Sequence, residues 1–481
     1  MTKYPHSDFL YTSMKHLIGF LFSVLIFILP IQSVLATLMV NRLRLPISIL
    51  LWKEAVIVIL AVLFLTEIYI KNKKLSLSQT VKKSWMILLT ASLVVYAVTT
   101  SVFKISSLNI LYGFRFELFW VLFFAVLYTW YQTVDLASIE YLKQKIRRSI
   151  YLGFVPACII SWFTIILGQQ KVLTFFGFGA STSKLLSDIP VSQVVDGGGW
   201  NNLLRLSGSF ATPNHFAGYL LLILPFFLYR AISDRNLYRK WWSRFAVANI
   251  SLFVLLSFAR FAWLSVLSWG LVLLAYYIIK NKTIQKSLFI LAFVFPVFVG
   301  MVAINLPEEF LQKSLPTFLS KPSSTAFHAR RTFAAFDVLR SHPDVFLTGY
   351  GIGASGPAAK EQYASIPSNP LYNQNIAISF QRFIQPSELV IPENWFLQLV
   401  LNGGIFYAML YSLVVLFPAL ILLKRLFSSL KTINTFDVYL LLAVFSIIIG
   451  NLFLHLWENQ TVAIFYTTVI IFMYKPQTAL V

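Results

Sequence analysis

Runs of about 20 residues without Lys, Arg, Asp or Glu recur along this chain, and one such run is what a helix needs to cross the hydrocarbon core of a bilayer. Residues 17–41, 84–103, 149–170, 206–229, 261–279, 287–307, 394–423 and 438–457 are of this kind. Four further segments are shorter or carry charge: 47–70 with Lys53, Glu54 and Glu67, 110–130 with Arg115 and Glu117, 245–259, and 459–474. The pattern predicts an all-α integral membrane protein with about twelve transmembrane helices. The first segment is longer than the apolar core of a signal peptide and is followed by further spans, so it is expected to be retained as the first helix. No internal repeat is visible, which weighs against a transporter built from inverted halves.

Three regions follow. Residues 1–304 hold the first nine predicted spans and an outer loop at 169–212, which contains Gly197-Gly198-Gly199-Trp200-Asn201-Asn202 and has the composition of a loop. Residues 305–393 form a large extracytoplasmic loop before the tenth span and hold 9 of the 19 prolines. Within it, 325–341 lacks Gly and Pro and sets Phe333, Phe336 and Leu339 at helical spacing, so a helix at the outer membrane surface is expected. Residues 394–481 supply the last three spans.

Composition narrows the class. The 481 residues are 58% hydrophobic and 12% charged, with a mean hydropathy of +0.74. That leaves too little polar surface to coat a soluble enzyme. The 45 Phe, 22 Tyr and 12 Trp exclude disorder, and a single cysteine excludes a disulfide scaffold or a paired-thiolate metal site. The net charge of +21 would suggest nucleic acid in a soluble protein. Here its distribution explains it. With the N-terminus inside, the predicted cytoplasmic segments carry 23 of the 39 Lys/Arg in 91 residues, and the short outer loops carry 7 in 66. Basic loops stay on the cytoplasmic side, so both termini are expected there, with anionic membrane lipids as neighbours and no nucleic acid as partner.

Candidate chemistry gathers at the predicted outer ends of spans. Arg205 precedes a polar turn through Pro213, Asn214 and His215. Arg260 sits in a two-residue junction between apolar helices, Arg330 and Arg331 lie on the loop helix, and Glu393-Asn394 opens the tenth span. Each has a plainer structural role available: an interfacial anchor for Arg260, a solvated face for Arg330 and Arg331, a helix-start carboxylate for Glu393. Lys53, Glu54, Arg115 and Glu117 are expected to face the bundle interior as structural ion pairs, or to line an ion path. His328, His342 and His455 lack metal-ligand spacing, so no metal and no cofactor is expected. Several arginines with one carboxylate suit a lipid pyrophosphate leaving group, because guanidinium forks neutralise departing phosphate charge while one base serves the incoming hydroxyl.

At these motifs the chain resembles the bacterial O-antigen ligase and polymerase family, membrane glycosyltransferases of surface polysaccharide assembly. The likeness lies in Arg205-Leu206-Ser207-Gly208-Ser209-Phe210 through Pro213-Asn214-His215-Phe216-Ala217, and in Ser257-Phe258-Ala259-Arg260. It continues in Arg330-Arg331 through Pro343 to Gly349-Tyr350-Gly351-Ile352-Gly353, and in Glu393-Asn394 followed after nine residues by Gly404. The resemblance implies an undecaprenyl-pyrophosphate-linked oligosaccharide donor held by Arg260 and by one of Arg330 and Arg331, with Arg205 supporting. It also implies a glycan or lipid-glycan acceptor, and leaves room for a chain-length regulator on the outer loop. Where ligases of the family show His-Asn this chain has Glu393-Asn394, so Glu393 is expected to act as base or acceptor guide, and the balance tilts toward a polymerase or a ligase for some other acceptor. Asn214, His215 and Asn394 are expected in supporting roles. The different-class alternative is a transporter or lipid-glycan flippase.

Overall fold

The computed structural model describes residues 5–72, 77–105, 107–178, 205–280, 332, 335–336, 338–356, 394–428, 435–452, 454 and 456–473, and among these every regular element is helical, with no strand. The principal helices are α1 (Pro5–Ile28), α2 (Trp52–Asn72), α3 (Leu77–Ser101), α4 (Phe119–Thr133), α5 (Leu136–Leu167), α6 (Pro213–Ser233), α7 (Leu237–Leu256), α8 (Arg260–Lys280), α9 (Trp395–Ser428), α10 (Thr435–Asn451) and α11 (Gln460–Met473). Seven helical segments are long and apolar enough to cross a membrane: Thr12–Arg42, Ser48–Ile70, Ser84–Ser101, Ser107–Thr133, Leu136–Leu167, Pro213–Ser233 and Trp395–Phe417. The protein is a helical membrane protein. Eleven of the twelve predicted segments coincide with helix, and 287–307 lies outside the described residues.

Local chemistry sets the helix starts. Thr212 caps α6, its Oγ1 accepting from the His215 N–H at 3.3 Å ahead of Pro213 in the first turn. Asp135 and Asn236 cap α5 and α7 through the Ser138 and Arg239 amides at 3.0 and 3.1 Å. The crossing elements are also interrupted. At Pro30, which has no N–H to donate, the first span passes through a 3-10 turn and continues as Gln32–Thr37. The Pro30 carbonyl there accepts from Ser209 Oγ at 2.5 Å. A π turn, Phe114–Leu118, leads into α4. Gly404, at φ 78° and ψ 178°, breaks α9 into two helices.

Packing puts α6 at the centre, with α7, α10 and α11 against it, while α4 is packed by α2 and α3. From Phe216 to Phe227 every side chain of α6 is buried, which is why this segment reads as apolar on all sides. Trp395 stacks edge-on against Trp457 with centroids 4.5 Å apart, and Trp457 meets Trp120 and Tyr466 at 6.1 and 5.2 Å, so one aromatic cluster ties α4, α9 and α11. Outward apolar side chains such as Phe20, Val62, Val95, Ile166, Leu255 and Met409 are more than half exposed, a surface suited to lipid.

Contacts between helix ends define two ends of the bundle. At one, Tyr151 donates to the Phe226 carbonyl at 3.2 Å, Arg147 lies over Phe436 and Phe472, and His16 meets Tyr141. Arg230, Arg235, Arg239, Lys240 and Arg244 cluster there at the turn from α6 to α7. At the other, Asn41 donates to Gly177, Leu206 to Leu256, Asn394 to Leu452 and Gln460 to Arg115, each onto a main-chain carbonyl. These are the basic end and the polar end.

Two expectations change. The described parts of the predicted loop 169–212 are structured: Gln169–Phe175 is a short helix, and Leu206, Ser207, Ser209 and Phe210 are buried in the polar end. The small side chains of this turn allow it: at Gly208, φ +54°, a Cβ would lie 2.6 Å from Phe216 and 2.7 Å from Ser161. Secondly, the described positions between 332 and 341 are helical, but the stripe turned inward is Ala335, Val338 and Leu339, while Phe336 is 53% exposed. The packed face is therefore offset from the aromatic one predicted; Phe333 lies outside the described residues.

Candidate functional site

Two polar assemblies occupy the polar end. The first joins two of the sequence motifs. Arg205 donates from Nε to the Ser257 carbonyl at 3.1 Å and from Nη2 to Asn214 Oδ1 at 2.8 Å. A planar guanidinium satisfies both acceptors at once, so Arg205 bolts the start of α6 to the end of α7. The turn leaving α7 is tight: Ser257 Oγ donates to Val254, Phe258 adopts φ 50°, and Arg260 opens α8 three residues after Ser257. His215 stands in the first turn of α6 beside Asn214. Arg205, Asn214, His215 and the Arg260 backbone are thus brought together at one helix junction. Asn394 lies at the same end, where Oδ1 caps α9 by accepting from the Leu397 N–H at 3.0 Å and Nδ2 donates to Leu452 at 2.9 Å. Glu393, Arg330 and Arg331 lie outside the described residues. Among the described residues no three potential metal-ligating side chains gather.

The second assembly joins the Gly349–Gly353 motif to Glu117, a connection that the sequence pattern does not reveal. Residues 349–356 form an irregular turn inserted into the bundle, with Ile352, Ala354 and Ser355 fully buried. Its backbone finds partners on three sides. Tyr350 and Gly351 donate to the Leu401 and Asn402 carbonyls at 2.7 Å each, Ile352 donates to Ser101 Oγ at 2.8 Å, and Ser355 donates to Asn402 Oδ1 at 2.7 Å. Lys104 Nζ closes the rim on Thr348 Oγ1 at 2.7 Å and the Gly349 carbonyl at 2.8 Å. Burial holds the Lys104 ammonium below its usual pKa, partly offset by Asp344, and pushes the Tyr350 phenol up to about 12.

Beneath this turn lies Glu117, 1% exposed. Its carboxylate accepts from the side-chain amide of Asn402 and from Tyr407 Oη at 3.0 Å, and its main-chain carbonyl accepts from Tyr411 Oη at 2.6 Å. The Gln398 amide and the Gly353 N–H reach the same carboxylate. Of the four in-membrane charges expected to pair, Glu54 and Arg115 do, at 2.8 Å. Glu117 does not: its partners are neutral donors. One signal for this site was legible, a lone carboxylate in an apolar run with Asn402 ahead of a double glycine, but nothing in the spacing joined them.

Compared with known protein families and with functionally characterised proteins, the sequence matches none.

Proposed function

We propose that the protein is a membrane glycosyltransferase of the O-antigen ligase or polymerase type, transferring an oligosaccharide from an undecaprenyl-pyrophosphate carrier to a sugar hydroxyl. The observation that carries this reading is the Arg205 bridge to Asn214 and Ser257, which draws two separate motifs of the resemblance to one junction at the polar end. Arg260 and one of Arg330 and Arg331 bind the pyrophosphate, and Arg205 orders the junction behind them. The acceptor oxygen attacks the anomeric carbon. The bond from that carbon to the pyrophosphate oxygen breaks, the leaving group keeps the electron pair, and the arginines neutralise its charge. Glu393 takes the hydroxyl proton, with Asn394 beside it. The chain crosses the bacterial cytoplasmic membrane twelve times, with both termini and the basic end in the cytoplasm and residues 305–393 outside.

The test uses purified protein in lipid with a polyprenyl-pyrophosphate-linked repeat unit, alone and with an added glycan acceptor. A ladder of lengthened lipid-linked glycans identifies a polymerase, and label passing to the added acceptor identifies a ligase. Both must be lost in R260A. Neither product, with lipid-linked glycan crossing the vesicle instead, overturns the enzyme in favour of a flippase.

A further inference from the structure

Glu117 poses a physical problem that a structural carboxylate in a stability optimum would not. It is all but fully buried, no cation pairs with it among the described residues, and burying a carboxylate costs more than neutral hydrogen bonds return. An apolar side chain would serve bundle packing better. Its hydrogen bonds explain its presence: Asn402 and Tyr407 come from either side of the Gly404 break, and Gly353 comes from the inserted turn. Asn402 is engaged on every side, donating to Glu117 and to the Ser355 carbonyl at 3.2 Å, while its own side-chain and main-chain oxygens take the Ser355 and Gly351 amides. The socket admits only glycine at three contacts. A Cβ at Gly353 would lie 2.4 Å from the Asn109 carbonyl, one at Gly349 2.5 Å from Asn402, and one at Gly113 2.5 Å from Gly353.

We propose that Glu117 is a positioning residue which, through Asn402, seats the 349–356 turn at one fixed depth in the polar end and thereby registers the preceding segment, Arg340 to Thr348, against the bundle. Val338, Leu339 and Val345, buried against the bundle, continue that seat outward. Arg330 and Arg331 precede this segment in sequence, and a loss of transfer is expected when the turn is unseated; that consequence rests on the transfer reading above, and the seating itself does not.

The test is a side-chain exchange in the full-length protein in lipid nanodiscs, read by hydrogen exchange of peptides covering 343–356 and by transfer. N402D sets two carboxylates face to face, and E117Q/N402D restores an amide-to-carboxylate pair with the roles reversed. N402D is expected to speed exchange of the 349–356 amides by about tenfold or more, with peptides of α6 and α7 unchanged as the control for folding. E117Q/N402D is expected to recover most of that protection. In transfer, N402D is expected to lower kcat more than it raises KM for the lipid-linked donor, with recovery in the double variant. Failure of E117Q to rescue the exchange of N402D overturns the pairing. Opening of the turn with transfer unchanged overturns the positioning role. If wild-type protein transfers nothing while the exchange pattern holds, the transfer reading fails and the seating stands.

Discussion

The side-chain amide of Asn402 donates to the carboxylate of Glu117 across 285 residues of sequence. Docking of the 350–351 backbone onto the same stretch uses the break in α9. In an unbroken helix the residues around 402 would spend their carbonyls on the next turn, yet here the Leu401 and Asn402 carbonyls receive Tyr350 and Gly351. Gly404 supplies that break at φ 78°, a backbone region costly to any residue with a side chain.

Gly404→Ala should therefore be among the most damaging single-methyl additions in the protein. The new Cβ would fall 2.1 Å from the Leu347 carbonyl, on backbone that cannot turn aside. A loss of about 2–4 kcal/mol is expected from strain and displacement together. Gly270→Ala is the matched control, since nothing lies within 4 Å of its Cβ and it sits in α8. Thermal unfolding in one detergent should show a large drop for the first and no drop for the second; equal behaviour would refute the inserted turn.

Arg205→Lys keeps the charge and removes the fork. Lysine offers its donors from a single nitrogen and cannot reproduce the spaced Nε and Nη2 pair that reaches the Ser257 carbonyl and Asn214 Oδ1, so the α6 and α7 junction loosens while Leu206 N–H to Leu256 and Ser209 Oγ to Pro30 remain. The lost hydrogen bond is worth about 1 kcal/mol, a small change in melting temperature, and transfer is expected to fall about tenfold. Asn214→Ala should produce a similar fall, and the double variant should fall by less than the product of the two, because both remove the same bond. Multiplying effects would separate Arg205 from Asn214.

How much of this was legible in the sequence depends on the range of the interaction. Charge-free runs such as 206–229 and 84–103 located helices because lipid solvation acts residue by residue. The Thr212-Pro213 start of α6 and the Asn394 start of α9 are local chemistry too, complete within four residues. The polar end was harder. Residues 205–212 read as loop because small polar residues carry that signal, yet they are buried through Ser209 with Pro30 and Ser207 with Gln169, partners 179 and 38 residues away. The run 394–423 read as one continuous span because hydropathy is blind to the φ of Gly404. Proximity in sequence pairs Glu117 with Arg115, whereas across the π turn their side chains meet different partners.

The Glu54–Arg115 pair separates a structural role from an ion path. Their side chains are 13% and 32% exposed, so the pair is partly screened and a coupling of about 1 kcal/mol is expected in a double-mutant cycle. Arg115→Gln alone takes from the Glu54 carboxylate its ion-paired partner and should cost more stability than the double variant E54Q/R115Q. The double variant should keep transfer within a few-fold of wild type, about 1 kcal/mol of barrier or less. A conducting role requires the opposite, with function lost when both charges go.

The two-ended bundle makes a prediction independent of any chemistry. Leu43, 60% exposed, lies at the polar end, and Leu237, 68% exposed, opens α7 at the basic end. The single native thiol, Cys158, is buried at 8% exposure and offers little background. In oriented membranes an impermeant maleimide should reach L43C from one side and L237C only from the other. Because the basic residues around Leu237 favour the cytoplasm, intact cells should label L43C and inverted vesicles L237C. The reverse pattern would keep the bundle and invert its orientation, moving Arg205 and Arg260 to the face where an outward-displayed donor cannot reach them. Labelling of both from the same side would contradict the separation of the basic and polar ends.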